Sequence, residues 1–120
     1  MGIKQYLYKT LSNKEIVELL PNKRVYFLHA NSPNKSLYVE YEIVGEYGDE
    51  YSENKEDYTY YTVQVDIFST GDYTEVERVI KKNMIAAGFN RDMSADMYEK
   101  DTGLYHCAMR FNISLPTSEN

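Results

Sequence analysis

Apolar residues at helical spacing open the chain. They are Ile3, Tyr6, Leu7 and Leu11, followed by Ile16, Val17, Leu19 and Leu20. Ser12 and Glu15 have the spacing of a capping box, which predicts a second short helix after a break at residues 12 and 13. Pro21 ends this helix, because proline lacks an N–H and restricts the residue before it. The first 21 residues therefore predict two short amphipathic helices.

Alternation of apolar and polar residues predicts strands in the middle of the chain. A short strand is expected over 25–29, and turn-forming residues follow it. Residues 37–44 and 58–68 alternate more regularly, which is typical of strands with one wetter face. We expect these two strands to form a hairpin joined by a long polar loop over 45–57.

The last third of the chain predicts a helix and two strands. Asp72 is placed to cap a helix over 73–87, and Gly88 is placed to end it. Strands are expected over 89–99 and 104–114, and the tail from Leu115 is expected to fray. One face of the last strand carries Tyr105, Cys107, Met109, Phe111 and Ile113, and the other carries Leu104, His106, Ala108, Arg110 and Asn112. We expect the first of these faces to pack beneath the helix.

This order of elements predicts an α+β fold. Residues 1–120 are expected to form a single domain, with a mostly antiparallel sheet of about four to five strands and helices packed on one face. The other sheet face is too polar for a core, so it is a candidate interface. Its candidate residues are Gln64, Asp66, His106 and Arg110.

Composition and charge narrow the classes of function. The chain has 13 tyrosines and few aliphatic residues, which favours burial completed at subunit contacts in an oligomer. Its net charge of −6 disfavours a protein that binds nucleic acid by neutralising phosphates. No apolar run is long enough for a membrane span or for the core of a signal peptide.

Much of the negative charge lies in one segment, residues 45–58, which contains six acidic residues and a single lysine. Taken alone, the segment is most simply interpreted as a solvated, mobile loop. Alternatively, its tyrosines order it against a partner while its carboxylates repel DNA. On this second interpretation the candidate assembly residues are Glu46, Tyr47, Asp49, Glu50, Tyr51, Glu53, Glu56 and Asp57.

The residues that carry catalytic chemistry are sparse and badly placed for it. His106 and Cys107 are neighbours in a strand, so their side chains face opposite ways and cannot act jointly. Cys107 reads as a small core residue, and as the single cysteine it forms no intrachain disulfide. Gly45 and Gly48 are followed by acids that would repel a phosphate. The sequence therefore predicts no catalytic, metal-binding or cofactor-binding residues.

Three pieces between Tyr60 and Phe111 carry a family resemblance. They are VQVDIFS followed by GDY into a helix, AGFNR at the end of that helix, and YEKDTGLYHCAMRF in the last hairpin. Upstream, RVYFLHANSPN extends the likeness, which covers roughly 24–113. In order and spacing, these pieces resemble the tail-terminator proteins of long, non-contractile-tailed bacteriophages, also called tail completion or head-tail joining proteins. The acidic segment and the N-terminal helix depart from the pattern.

The resemblance implies a structural subunit and not an enzyme. This subunit, monomeric or weakly associated when free, would form a hexameric ring on the head-proximal end of the virion tail. Its implied partners are the tail tube protein and the head-tail connector protein. DNA would pass through the ring without specific binding, and assembly would take place in the host cytoplasm. Three alternatives stay open: an acidic DNA mimic that inhibits a host nucleic-acid-binding protein, another neck or minor tail component, and an enzyme of unknown type.

Overall fold

Within the part of the chain that the structure describes, three helices and five strands follow one another in the predicted order. The computed structural model describes residues 1–34, 36–52 and 55–117, and for 49–52 and 55–57 it describes the backbone alone. The elements are α1 (Ile3–Leu11), α2 (Lys14–Val17), β1 (Tyr26–Phe27), β2 (Leu37–Ser52), β3 (Lys55–Ser69), α3 (Thr74–Ala86), β4 (Asn90–Glu99) and β5 (Leu104–Pro116).

The five strands form one sheet in the order β1-β2-β3-β5-β4. All neighbours are antiparallel except β1, which runs parallel to β2 over two residue pairs. The α+β prediction with a mostly antiparallel sheet is therefore confirmed. Because β1 is so short, most of β2 forms an open edge of the sheet in the described part of the chain, and β4 forms the other edge.

The core lies between the helices and one face of the sheet. Phe111 and Tyr61 are among its largest fully buried side chains, and they come from the two central strands. The helices contribute Ile3, Leu7, Leu11, Ile16, Val76, Val79, Ile80 and Met84. On β5, Cys107, Met109, Phe111 and Ile113 are buried as predicted. Tyr105 is half exposed instead, because it lies near the end of this face, with its ring against Tyr73 and Tyr98.

Short-range hydrogen bonds and one glycine lie at the helix boundaries. The Asp72 carboxylate accepts hydrogen bonds from the backbone N–H and the hydroxyl of Thr74. The N-cap position of α3 is nevertheless Tyr73, one residue later than predicted. Gly88 follows the helix with φ of +97°, a conformation that glycine adopts without a steric penalty. The predicted capping box at Ser12 is wrong by one residue, because the Asn13 side chain accepts the hydrogen bond from Glu15 N–H.

The prediction of a loop over 45–57 is wrong for the residues that the structure describes there. β2 and β3 stay paired through Tyr51↔Glu56 and Ser52↔Lys55, after a bulge between Ile43 and Gly45. The physical reason is that register set by the buried part of a hairpin continues outward, and tyrosine favours strands despite the neighbouring acids. Glu53 lies outside the described residues.

The predicted fraying from Leu115 is also wrong as far as Pro116, which pairs with Tyr58. Since β3 begins earlier than the alternation suggested, it offers the end of β5 a neighbour. Residues 118–120 lie outside the described part of the chain.

Candidate functional site

The four polar residues predicted for the outer sheet face form one hydrogen-bonded network. Arg110 Nε donates to Gln64 Oε1 at 2.9 Å, and Gln64 Nε2 donates to Asp66 Oδ1 at 2.9 Å. His106 Nε2 lies 2.7 Å from the same Asp66 oxygen. Asp66 is only 8% exposed, so these partners compensate for the burial of its carboxyl group. The network fixes the polar side chains of β3 and β5 in one arrangement.

An aromatic row continues this network towards the edge of the sheet. The ring of His106 stacks on Phe68 with centroids 4.3 Å apart, and Phe68 stacks on Tyr38 at 4.9 Å. On its other side, His106 Nδ1 lies 3.5 Å from Glu99 Oε2. The sequence analysis missed Phe68, Tyr38 and Glu99 because only the pairing register across four strands brings them to His106. The result is a rigid, mixed polar and aromatic surface.

Removing the carboxyl group of Asp66 should destabilise the fold. Asp66→Ala leaves His106 and Gln64 without their shared acceptor, and we expect a loss of about 1–3 kcal/mol in the free energy of unfolding. Urea denaturation measures this loss, with Asp101→Ala on the exposed β4–β5 turn as the control. A loss no larger than that of the control would mean that the network contributes nothing to stability.

A second cluster lies under α3, around the buried thiol of Cys107. The Cys107 sulfur and carboxylate oxygens of Glu77 and Asp96 lie within 4.8 Å of one another. Each carboxylate already has a cationic or hydroxyl partner: Lys81 Nζ lies 2.6 Å from Glu77, and Tyr73 OH donates to Asp96 at 2.8 Å. Burial, reinforced by the two acids, raises the pKa of the Cys107 thiol to about 12.

A thiol with so high a pKa stays protonated at neutral pH, and the thiolate is the form that binds metals and attacks electrophiles. The prediction that Cys107 is a core residue is confirmed, because its side chain is fully buried.

This protonated, buried thiol should be unreactive in the folded chain. At pH 8 we expect a thiol reagent to modify native Cys107 at least 100-fold more slowly than the urea-unfolded chain, because thiolate and access are both lacking. Mass spectrometry of samples quenched over time measures both rates. Equal rates in the two states would contradict the burial and raised pKa of this group.

The start of the acidic hairpin shows why glycine stands at the bulge. A Cβ at Gly45 would lie 2.9 Å from Tyr47 ring atoms, so glycine lets that ring fold over the backbone. Tyr47 also approaches the Tyr60 ring, with centroids 6.5 Å apart. Glu46 and Tyr47 are exposed. The other predicted assembly residues within the described backbone are Asp49, Glu50, Tyr51, Glu56 and Asp57, all in paired strands.

Exposed apolar side chains flank both edges of the sheet, and the sequence analysis did not identify them. Phe27, Leu28 and Val44 lie at the β1–β2 edge, and Met93 and Met97 lie on β4. Pattern reasoning missed them because the same residue types at alternate positions also fill cores. The sheet thus carries a different exposed apolar patch at each of its two edges.

Comparison of the chain with protein-family models and with curated proteins finds no match. In the part of the chain that the structure describes, no helix is long and apolar enough to cross a membrane.

Proposed function

We propose that this chain is a bacteriophage structural protein that caps the tail tube as a hexameric ring. The ring ends tube polymerisation and offers the surface that joins the tail to the head connector. Support comes from the family resemblance of residues 24–113 and from the architecture of the β2–β3 hairpin. The observation that carries the proposal is this hairpin, a long acidic arm on a small open-edged sheet.

The hairpin is unusually long for a domain of this size. Its strands have 16 and 15 residues, against about 5–6 in a typical strand. β5 accompanies β3 only as far as the Tyr58↔Pro116 pair, so the outermost part of the hairpin is two-stranded. The chain is elongated accordingly, with extents of 52 × 28 × 24 Å. An isolated two-stranded ribbon is marginal in water, which favours its completion by neighbouring subunits.

The acids of this arm suit a channel through which DNA passes. In a ring, six arms would bring their carboxylates around one axis, and phosphates near that axis would be repelled from every side. The saturated network of Gln64, Asp66, His106 and Arg110 has a different use. A rigid polar face suits contact along the ring axis with the tail tube or the connector. Such a surface has to keep its shape while one partner after another binds to it.

Loss of the chain tests this function in the phage or prophage that encodes it. We expect DNA-filled heads without joined tails, and tail tubes that exceed the normal length because nothing stops their growth. Electron microscopy of lysates, with the gene restored on a plasmid as the control, shows both effects. Virions with normal, joined tails in the absence of the chain would contradict the proposal.

A further inference from the structure

The strongest unexplained feature of the fold is a strained turn that holds a leucine in solvent. Leu28 has φ of +65°, and His29 N–H donates to Phe27 O at 2.7 Å across it. Such a three-residue γ-turn with positive φ is rare and strained, and strain of this kind is typical of binding and switch regions. Leu28 N–H donates to Tyr41 O at 2.9 Å, which fixes the turn to β2, yet the side chain is 57% exposed.

The surroundings of this leucine form an apolar knob bordered by one cation and one acid. Phe27 and Val44 are exposed beside it, and a groove of about 370 Å³ separates them from the start of α1. Lys4 lines this groove, with its ammonium group 5.8 Å from the centre of the Phe27 ring. Glu46 borders the groove and makes no ion pair with any side chain that the structure describes.

The opposite edge of the sheet has a pocket with a mixed polar and apolar lining. It lies at the β4 bulge between Arg91 and Met93, has a volume of about 150 Å³, and is floored by the buried side chains of Met109 and Phe111. A cavity of roughly 150 Å³ holds a molecule as large as benzene, so it has the volume for a leucine side chain.

The border of this pocket is mainly cationic. It comprises Lys81, Arg91 and Arg110, with Asp92 as the one acid. Lys81 is paired with Glu77, whereas the two arginines make no ion pair with the side chains described here. Their charge is available to a carboxylate from outside the chain, such as Glu46 of a neighbouring copy.

The knob and the pocket also lie at the same height along the strands. Leu28 is hydrogen bonded to Tyr41, which pairs with Val65 on β3. Val65 pairs with Met109, in the pocket floor, and Met109 pairs with Ser94, in the pocket wall. With the hairpins directed towards the ring axis, equal height along the strands means equal distance from that axis, and head-to-tail contacts of this kind close into rings when the rotation closes.

We propose that Leu28 of one subunit inserts into the Arg91–Met93 pocket of a second copy of this chain, while Glu46 pairs with Arg91 or Arg110 at its border. This heterologous contact rests on the proposed ring and gives its subunit interface. The energy of burying the knob compensates for the strain that the γ-turn places on the free chain.

Disulfide trapping tests the contact directly. A Leu28→Cys, Met93→Cys double variant, oxidised at concentrations where the chain assembles, should give a covalent ladder that ends at six copies. Either single variant should remain monomeric on the gel, and buried Cys107 should not contribute. Dimers from the single Leu28→Cys variant would indicate a two-fold contact and overturn the proposal.

Two further variants separate assembly from folding. Leu28→Gly removes the strain and the knob together, so we expect an unchanged or higher melting temperature and at least a tenfold higher concentration for half-maximal assembly. Ile85→Ala, which shortens an exposed apolar side chain on α3, is the matched control and should not change assembly. Arg91→Glu should weaken assembly by a similar factor, and Glu46→Arg in the same chain should restore it.

The outcomes distinguish the contact from the function. The wild-type chain could form rings while Leu28→Gly assembles equally well, or while the double cysteine variant gives no disulfide ladder. Either outcome would overturn this interface and leave the capping function intact. A chain that forms no ring at any concentration or on tube ends would overturn both.

Discussion

Phe111→Ala is expected to lower the free energy of unfolding by about 3–5 kcal/mol. Phe111 is 1% exposed on β5 and belongs to the same buried core cluster as Val79 and Ile80 of α3. Removing the ring deletes its apolar burial and leaves a cavity that neighbouring side chains fill only partly, because protein interiors are close-packed.

Guanidinium or urea unfolding, followed by circular dichroism, measures the loss for this substitution. Tyr98→Ala is the matched control, since it also removes an aromatic ring from the sheet but one that is 54% exposed. We expect the control to lose less than about 1 kcal/mol. A loss for Phe111→Ala as small as this would place Phe111 outside the core.

Neutralising the outer acids of the hairpin is expected to abolish infectivity while folding and ring formation continue. The variant replaces five acids with Asn or Gln and keeps Glu46, which lies near the subunit contact. They are Asp49, Glu50, Glu53, Glu56 and Asp57. Together with Lys55 they give the segment a net charge of −4 per subunit, so six copies would place about 24 negative charges around the channel. Salt at physiological concentration screens this charge beyond roughly 8 Å.

Plaque assays and DNA ejection measure the effect, with ring formation checked by native mass. A control variant, Glu18→Gln with Asp101→Asn, removes surface acids away from the hairpin and should keep infectivity. If the neutral hairpin variant folds but forms no rings, its carboxylates make subunit contacts and the channel role is wrong. If infectivity is unchanged, the acids serve solubility alone.

The sequence predicted the strands correctly where apolar and polar residues alternate and one face of the strand is buried. On β5 the alternation of Cys107, Met109 and Phe111 with polar neighbours identified the core face, because one side of that strand is buried along most of its length. On β3 and β5 the same alternation placed Gln64 and Arg110 in one candidate surface, since residues two apart along a strand share a face.

The remaining features depend on how strands that are distant in the sequence pair with one another. The local pattern of residues does not specify this pairing. The hairpin continues through residues read as a loop, because pairing started at Val39 and Ile67 propagates past the acids. The Leu28 turn is equally hidden, since its positive φ is held by a hydrogen bond to Tyr41 on another strand. The partners of His106 come from β3 and β4, and no sequence spacing reports that arrangement.

Native mass spectrometry with negative-stain imaging, over a range of concentrations and on tail tube ends, tests the proposed ring most directly. We expect a species of six times the 14.1 kDa chain mass, seen as a ring with a central opening. A chain that stays monomeric under all of these conditions, and instead binds a host nucleic-acid-binding protein with an affinity that falls as salt rises, would contradict it and favour the DNA-mimic alternative.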